Sequence, residues 1–527
     1  MTAAAPPFGR VLVANRGEIA IRVIRACREL GIESVAVYSD ADARALHVQA
    51  ADRSVRIGPP PAVDSYLRGD RIIQAAVATG SEAIHPGYGF LSEQAAFAQA
   101  CIDAGLAFVG PNPQTLASLG DKLAARRAAS QVGVPITPGT FEPLPVDGTP
   151  ESLARLMATA QEVGYPLMVK AAAGGGGRGM RRVDVPAELA AAVASATREA
   201  SAAFGDGAVY LERYVEGARH VEVQLIGDSM GATVALGERE CSIQRRHQKL
   251  VEEAPAPGLS TQERRSLHEL AVAVALTVGL RNAATAEFLL DQDGRPAFLE
   301  VNARLQVEHG VTELVTGLDL VHEQLFIAAG HPLSARVLAA ADVAAEPRRH
   351  AIEARISAED PGRDFAPTPG RITRWREPSG PGIRVDSGVR EGSVVSGEYD
   401  PLLAKLMVVG GDRDVAIARL RRALDEWETG GVQTTLPFHR WLVDHPSFVT
   451  AQLRTDLVER DWDPAPLREA AAQAAIVAVA SAVAGGRAAS PLATDPAADG
   501  AVAQRDPAAD LDGWSATARR ESTERWP

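Results

Sequence analysis

Lysine is nearly missing from this chain: of 54 basic residues only Lys122, Lys170, Lys249 and Lys405 are lysines, and the rest are arginine. Arginine presents a wide planar fork and lysine a compact point charge. A sequence that defaults to arginine therefore keeps lysine where a phosphate or a small anion needs the narrower group, and the four lysines are candidate site residues. Cysteine is scarce as well. Cys27, Cys101 and Cys241 lie far apart without C-x-x-C spacing, so neither a disulfide framework nor a zinc site is indicated and a reducing cytosol fits best. Net positive charge is lacking: a formal charge of −13 argues against general nucleic-acid or anionic-membrane binding, and any anion site must be local. Met1 to Pro7 has no basic segment followed by an apolar stretch, so no secretory signal is expected. The most apolar late run, Ala470 to Ala484, is too short and too alanine-rich to span a bilayer, and the expectation is a soluble, cytoplasmic protein.

What is present is enough for two to four domains: 527 residues, 46% hydrophobic and 23% charged. Arg10 to Ala14 reads as a strand, Gly17 to Leu30 as an amphipathic helix closed by Gly31, and Glu33 to Ser39 as a returning strand. Further alternation follows, with helices over Asp70–Thr79 and Phe97–Ala104 and strands at Ala83–Ile84 and Leu106–Val109. This predicts a small parallel, Rossmann-like sheet over residues 8–120. A mixed α and β region runs over 121–335, with helices at Lys122–Val132 and Glu151–Val163, a strand at Pro166–Lys170 and then a glycine run. Residues 348–462 are rich in strand and turn signals, such as Pro369-Gly370 and Pro381-Gly382, and include a helix over Arg413–Trp427; they read as a separate α+β domain. The tail, 463–527, reads as an alanine-rich helix followed by a flexible extension bearing Trp514 and Trp526. The fold class is α/β and α+β, multidomain.

Three constellations carry chemistry. Gly174 to Gly179 follows a strand ending in Lys170, and glycines let backbone N–H groups wrap phosphate oxygens. A dinucleotide fingerprint must open a helix, whereas Met180 to Val185 is β-like, so a lid over residues 135–205 closing on nucleotide phosphates is the better account. In the second, Phe298 to Glu308, polar groups occupy every second position; extended, the segment would carry Glu300, Asn302, Arg304, Gln306 and Glu308 on one face. A two-residue Asp293-Gly294 turn would set Glu287 opposite Glu300. Facing carboxylates repel, and a hard divalent cation such as Mg²⁺ on a nucleotide removes the repulsion. The third, Gln244-Arg245-Arg246-His247-Gln248-Lys249, is flanked by Glu252-Glu253 and suits a small-anion pocket better than a nucleic-acid patch.

Together these residues resemble the biotin carboxylase family, the ATP-grasp component of biotin-dependent carboxylases, from about Phe8 to Trp462. The likeness also rests on Ala14 to Ala20, His85 to Glu93, Gly120-Asp121-Lys122, Arg219 to Glu222, Asn302 to His309, Glu353-Ala354-Arg355 and Tyr399-Asp400-Pro401. The resemblance implies a pre-ATP-grasp domain, an ATP-grasp domain with its glycine-rich lid and a C-terminal α+β domain. It implies nucleotide contacts at Lys122, Lys170, Gly176, Gly177, Glu212, Arg213, Tyr214, Val215, His220, His247, Glu287 and Glu300, and Mg²⁺ or Mn²⁺ at Glu287, Glu300 and Asn302. Lys249, Arg304, Gln306 and Val307 would hold bicarbonate or biotin, Glu308 would act as general base, and Arg355 would steady the biotin enolate. Lys249, Arg304, Glu308 and Arg355 are thus the expected catalytic group. Three of the four lysines fall on these positions, and Lys405 lies in a family-like Ala404-Lys405-Leu406 segment.

Two departures stand out: Arg213 where the family usually has lysine, and Gly310 where it usually has proline. No lysine lies between two methionines, so the biotin is expected on a separate carrier protein, with a carboxyltransferase on a further chain and a homodimer as the family's assembly. That would make the chain the first half of an acetyl- or acyl-CoA carboxylase, as used in fatty acid biosynthesis, with the final acceptor left open. Two rival readings stay open here, a different ATP-grasp ligase and a nucleotide-binding assembly subunit without turnover.

Overall fold

The structure is a computed structural model that describes residues 5–144, 149–172 and 180–486. Five short strands build the first sheet: β1 (Arg10–Val13), β2 (Glu33–Ser39), β3 (Arg53–Gly58), β4 (Ala83–His85) and β5 (Ala107–Phe108). Their order is β3-β2-β1-β4-β5 and every pairing is parallel. Val11, Leu12 and Val13 are completely buried, as expected for a parallel strand covered on both faces. The helix Gly17–Glu29 buries Ile19, Ala20, Val23, Ile24, Ala26 and Cys27 at helical spacing. The chain leaves β1 toward one edge and β4 toward the other, so the loops after them meet at a switch point, where parallel sheets place ligands. Asn15 joins those loops, its Nδ2 donating to the carbonyls of Pro86 and Tyr88 at 2.7 Å each.

A second, three-stranded antiparallel sheet has the order β7-β6-β8, from β6 (Leu167–Ala171), β7 (Arg181–Val183) and β8 (Val209–Arg213). Leu156 and Ala160 of the helix Pro150–Val163, and Val193 of the helix Leu189–Phe204, share a core with Leu167, Val169 and Leu211.

The largest sheet has eight antiparallel strands. They are β9 (Arg219–Gly227), β10 (Thr233–Arg245), β11 (Gln248–Ala254), β12 (Asn282–Leu290), β13 (Pro296–Asn302), β14 (His350–Ser357), β15 (Ile383–Ser387) and β16 (Leu402–Gly410). The order is β13-β12-β9-β10-β11-β14-β16-β15. The long strands after residue 348 do not close a sheet of their own: β14 pairs with β11, so one ladder runs from the middle region into the C-terminal one. The C-terminal region adds its own core, with Leu406, Val408, Leu420, Trp427 and Phe438 packed together. Contacts divide the chain into a unit ending at Arg468 and a second beginning at Glu469, whose described part is the rest of the helix Ala465–Gly486. No helix among the described residues is long and apolar enough to cross a membrane.

Candidate active site

Glu287 of β12 lies opposite Glu300 of β13, and Thr285 opposite Asn302. The turn that achieves this is not the expected two-residue one. Leu290 pairs with Pro296, leaving a five-residue loop, Asp291–Arg295, and that loop alone would place Glu287 opposite Leu299. A bulge at Leu299 absorbs one residue and restores the Glu287–Glu300 pair, while Phe288 and Phe298 stay opposed in the core. His220 Nε2 lies 2.9 Å from Glu287 Oε2, and Lys122 Nζ lies 3.0 Å from Glu300. Asn302 Nδ2 donates to Glu287 Oε1 at 2.8 Å. Two facing carboxylates with the Asn302 amide beside them are a donor set that suits Mg²⁺ or Mn²⁺.

The alternation beyond Asn302 is not a strand. β13 ends there, and residues 303–308 form a loop and turn leading into the helix His309–Thr316. Two observations account for the break: Leu305 turns into the core, fully buried, and Glu93 from the first sheet's loops captures the chain. Glu93 accepts from the Ala303 amide at 3.1 Å and from Arg304 Nε at 2.8 Å. The polar side chains still converge by hydrogen bonding. Arg304 donates to Asn302 Oδ1 at 3.1 Å and to Gln306 Oε1 at 2.9 Å, and Gln306 Nε2 donates to Glu287 at 3.3 Å.

The basic cluster splits. Arg246 and His247 form the tip of the β10–β11 hairpin with φ of +47° and +66°, the left-handed pair that a tight two-residue hairpin requires. Arg245 and Arg246 both bond Asp364, so they do not make the expected small-anion pocket. Lys249 alone of the cluster reaches the carboxylates: its Nζ donates to Glu222, to Glu287 at 3.1 Å and to Glu308 at 2.7 Å. Arg355, on β14, donates to the other Glu308 oxygen at 2.9 Å and to Glu252 at 2.6 Å. Beneath them Arg239, completely buried, bonds Glu222, Gln224 at 2.7 Å, Thr312 at 2.9 Å and Thr285 at 3.1 Å.

The electrostatics follow from that packing. Burial alone would raise the Glu308 carboxyl, yet Lys249, Arg355 and Arg239 outweigh it and hold Glu308 well below the usual carboxylate range. Burial likewise opposes the Lys249 ammonium, but Cys241, Glu222, Glu287 and Glu308 keep it ionised well above the ordinary lysine value. Glu252 differs: burial pushes it up to about 7, against the pull of Arg355.

At the other end Glu212 of β8 is buried between Lys170 and Arg126, which with Thr137 hold it below the usual range in spite of burial. Arg213 donates to the Tyr165 carbonyl at 2.9 Å, while its amide bonds the Pro138 carbonyl at 2.7 Å; the substituted side chain is therefore spent on a backbone carbonyl.

One cavity of about 1170 Å³ joins these groups. Its wall includes Lys122, Lys170, Glu212, Arg213, Tyr214, Val215, His220, His247, Lys249, Glu287, Glu300, Asn302, Arg304, Gln306, Val307 and Arg355. Glu308 lies just behind the wall, fully buried and reached through Lys249 and Arg355. Gly176 and Gly177 lie outside the described residues. Sequence reasoning assigned no role to Glu222, Arg239 or Glu93. Glu222 and Arg239 carry a signal in retrospect, charged residues inside strands that are buried along most of their length.

Comparison with known proteins bears on the same residues. The family profile of the biotin carboxylase N-terminal domain matches residues 7–116, that of the carbamoyl-phosphate synthase L chain ATP-binding domain residues 121–336, and that of the biotin carboxylase C-terminal domain residues 353–460. Biotin carboxylase 1 of Bacillus subtilis is 47% identical over 451 residues, 85% of this chain and 98% of its own. The biotin-dependent acyl-coenzyme A carboxylase alpha3 subunit of Mycobacterium leprae is 48% identical over 460 residues, 86% of this chain and 75% of its own. Among solved structures, Campylobacter jejuni biotin carboxylase superposes with a TM-score of 0.81 at 41% identity, covering 86% of this chain and 99% of that one. The biotin carboxylase domain of Hydrogenobacter thermophilus 2-oxoglutarate carboxylase, a dimer solved with MgADP and bicarbonate, gives 0.81 at 43% identity, over 86% and 97%. With three profiles in chain order and relatives nearly half identical over about 85% of this chain, the chain belongs to the biotin carboxylase family, and its enzyme class is ATP-dependent ligase.

Proposed function

We propose that the chain carboxylates biotin held on a separate carrier protein, consuming ATP with bicarbonate as the carbon source, as the first half-reaction of an acyl-CoA carboxylase whose transferase is another chain. The observation that carries this reading is Lys249, set among Glu222, Glu287 and Glu308 where the two-carboxylate ribbon meets Arg355. One cation there joins a nucleotide–metal face to a buried base, as bicarbonate activation requires.

In this reading Lys122 and Lys170 hold phosphate oxygens, and the backbone of Glu212 to Val215 meets the base. Glu287, Glu300 and Asn302 would hold Mg²⁺, which when bound supplies neutralisation of phosphate charge. Bicarbonate takes Lys249, Arg304 and the Val307 amide as partners. Glu308 removes its proton; the cations that keep Glu308 ionised also stabilise the carbonate that forms. A carbonate oxygen then attacks the γ-phosphorus, the bond to the β-phosphate oxygen breaks, and carboxyphosphate and ADP result. Carboxyphosphate breaks down to CO₂ and phosphate; the released phosphate takes the N–H proton of the biotin ureido group, and the resulting enolate, its oxygen steadied by Arg355, attacks CO₂ through the nitrogen. A homodimer in the cytoplasm is the proposed working form, as the dimeric Hydrogenobacter domain suggests.

The test is ATP hydrolysis with and without bicarbonate and free biotin. Hydrolysis that needs bicarbonate and rises with biotin is expected, and Lys249→Ala should lower it by about 100-fold or more while ATP still binds. Turnover independent of bicarbonate would refute the reading.

A further inference from the structure

Lys405 is the one lysine outside the nucleotide and bicarbonate groups, and it is completely buried. On β16 it lies opposite Arg355, and Met407, two residues on, lies opposite Glu353. Residues two apart share a face of a strand, so Lys405 and Met407 point to the same side of the sheet as Arg355 and Glu353. That side carries the turn into the helix His309–Thr316. Lys405 Nζ donates to the Val307 carbonyl at 2.8 Å, closer than either of its carboxylate neighbours, Glu18 at 3.4 Å and Asp386 at 3.9 Å. The bonded carbonyl belongs to the peptide that leads into Glu308. A buried ammonium is costly unless it is paired, and this one spends its best contact on the loop.

Met407 sets the height of the same turn. A Cβ added to Gly310 would lie 2.2 Å from Met407 Sδ, 3.3 Å from its Cε and 3.7 Å from Glu353 Oε2. Met407 is itself completely buried, packed with Ala254, Val311 and Ala351, and has little room to yield. The glycine where the resemblance leads one to expect proline is thus matched by a large side chain beneath it.

We propose that Lys405 is a positioning residue for bicarbonate activation: it fixes the Val307 carbonyl, and so the placing of Val307 and Glu308, on a floor whose height Met407 and Gly310 set together. The proposal rests on Glu308 being the general base. Misplacing a reacting group by about 1 Å costs on the order of 100-fold, and the loss should fall on bicarbonate rather than on ATP.

The experiment measures kcat and the KM values for ATP and bicarbonate in the biotin-stimulated reaction of the full chain. Lys405→Met is expected to lower kcat/KM for bicarbonate by about 10- to 100-fold with KM for ATP within about twofold. An unchanged kcat/KM for bicarbonate, or a KM for ATP raised well beyond about twofold, overturns the proposal. Should Lys405→Met fail to fold, Gly310→Ala and Gly310→Ala/Met407→Ala decide. The single variant should lose bicarbonate kcat/KM and the double should recover most of it. A silent single variant, or a double no better than the single, overturns it. Glu308→Gln in the same assay keeps the two ideas apart: if it turns over normally, the base assignment falls, whatever Lys405→Met does.

Discussion

Each oxygen of Glu308 has its own cation, Lys249 at 2.7 Å and Arg355 at 2.9 Å, while Arg355 is shared with a second buried carboxyl, Glu252. The two carboxyls titrate far apart: Glu308 stays ionised well below pH 4.5, whereas Glu252 takes up its proton at about 7. A folded-state value above the ordinary 4.5 means that folding binds a proton at Glu252. Its favourable contribution is complete below the unfolded value and is lost as pH rises through the folded one. Glutamine mimics the protonated form, so the unfolding midpoint of Glu252→Gln should climb relative to wild type as pH rises from about 5 to about 8. Thermal unfolding of both proteins across that range checks it, and a constant difference would contradict the assignment. Residue by residue, Glu287 was legible from spacing and Lys249 from residue type, whereas Arg355 was reached only through the family resemblance. Their partners were not: Glu93 lies 211 positions from Arg304, and Glu252 lies 103 from Arg355, and nothing local links them.

At the scale of elements, alternation in Phe298–Asn302 and the Asp293-Gly294 signal led to the correct carboxylate pair by an incorrect route. A five-residue loop and a one-residue bulge replace the short turn, and each shifts the register by one step, so the errors cancel. The extension of the strand to Glu308 failed for a tertiary reason, since burial of Leu305 and capture by Glu93 outweigh a local pattern that would suit a strand. Helix starts are better encoded. Ser260 accepts from the Glu263 amide, and the Glu263 carboxylate accepts from the Ser260 amide at 2.7 Å, a reciprocal cap opening Thr261–Thr277. Ser260→Ala should cost about 1 kcal/mol in denaturant unfolding without changing turnover. A loss below about 0.3 kcal/mol would mean that tertiary packing alone sets this helix end.

For the whole molecule, the alternating β and α signals of residues 8–120 foretold the parallel sheet through its four largely apolar strands, whereas β3, Arg-Ser-Val-Arg-Ile-Gly and half exposed, carries no apolar signal and was not foreseen. The continuity of the eight-stranded sheet across the middle and C-terminal regions was not foreseeable, since pairing of β11 with β14 joins segments about 100 residues apart. That continuity is what brings Arg355 and Lys405 to the side of Lys249 and Glu308, and so sets Glu287, Glu300, Lys249 and Arg355 around one cavity. The account stands on bicarbonate being activated by phosphoryl transfer inside that cavity. Turnover with oxygen-18-labelled bicarbonate tests this most directly: the inorganic phosphate released should carry one labelled oxygen from bicarbonate in each turnover, and phosphate without label would contradict it.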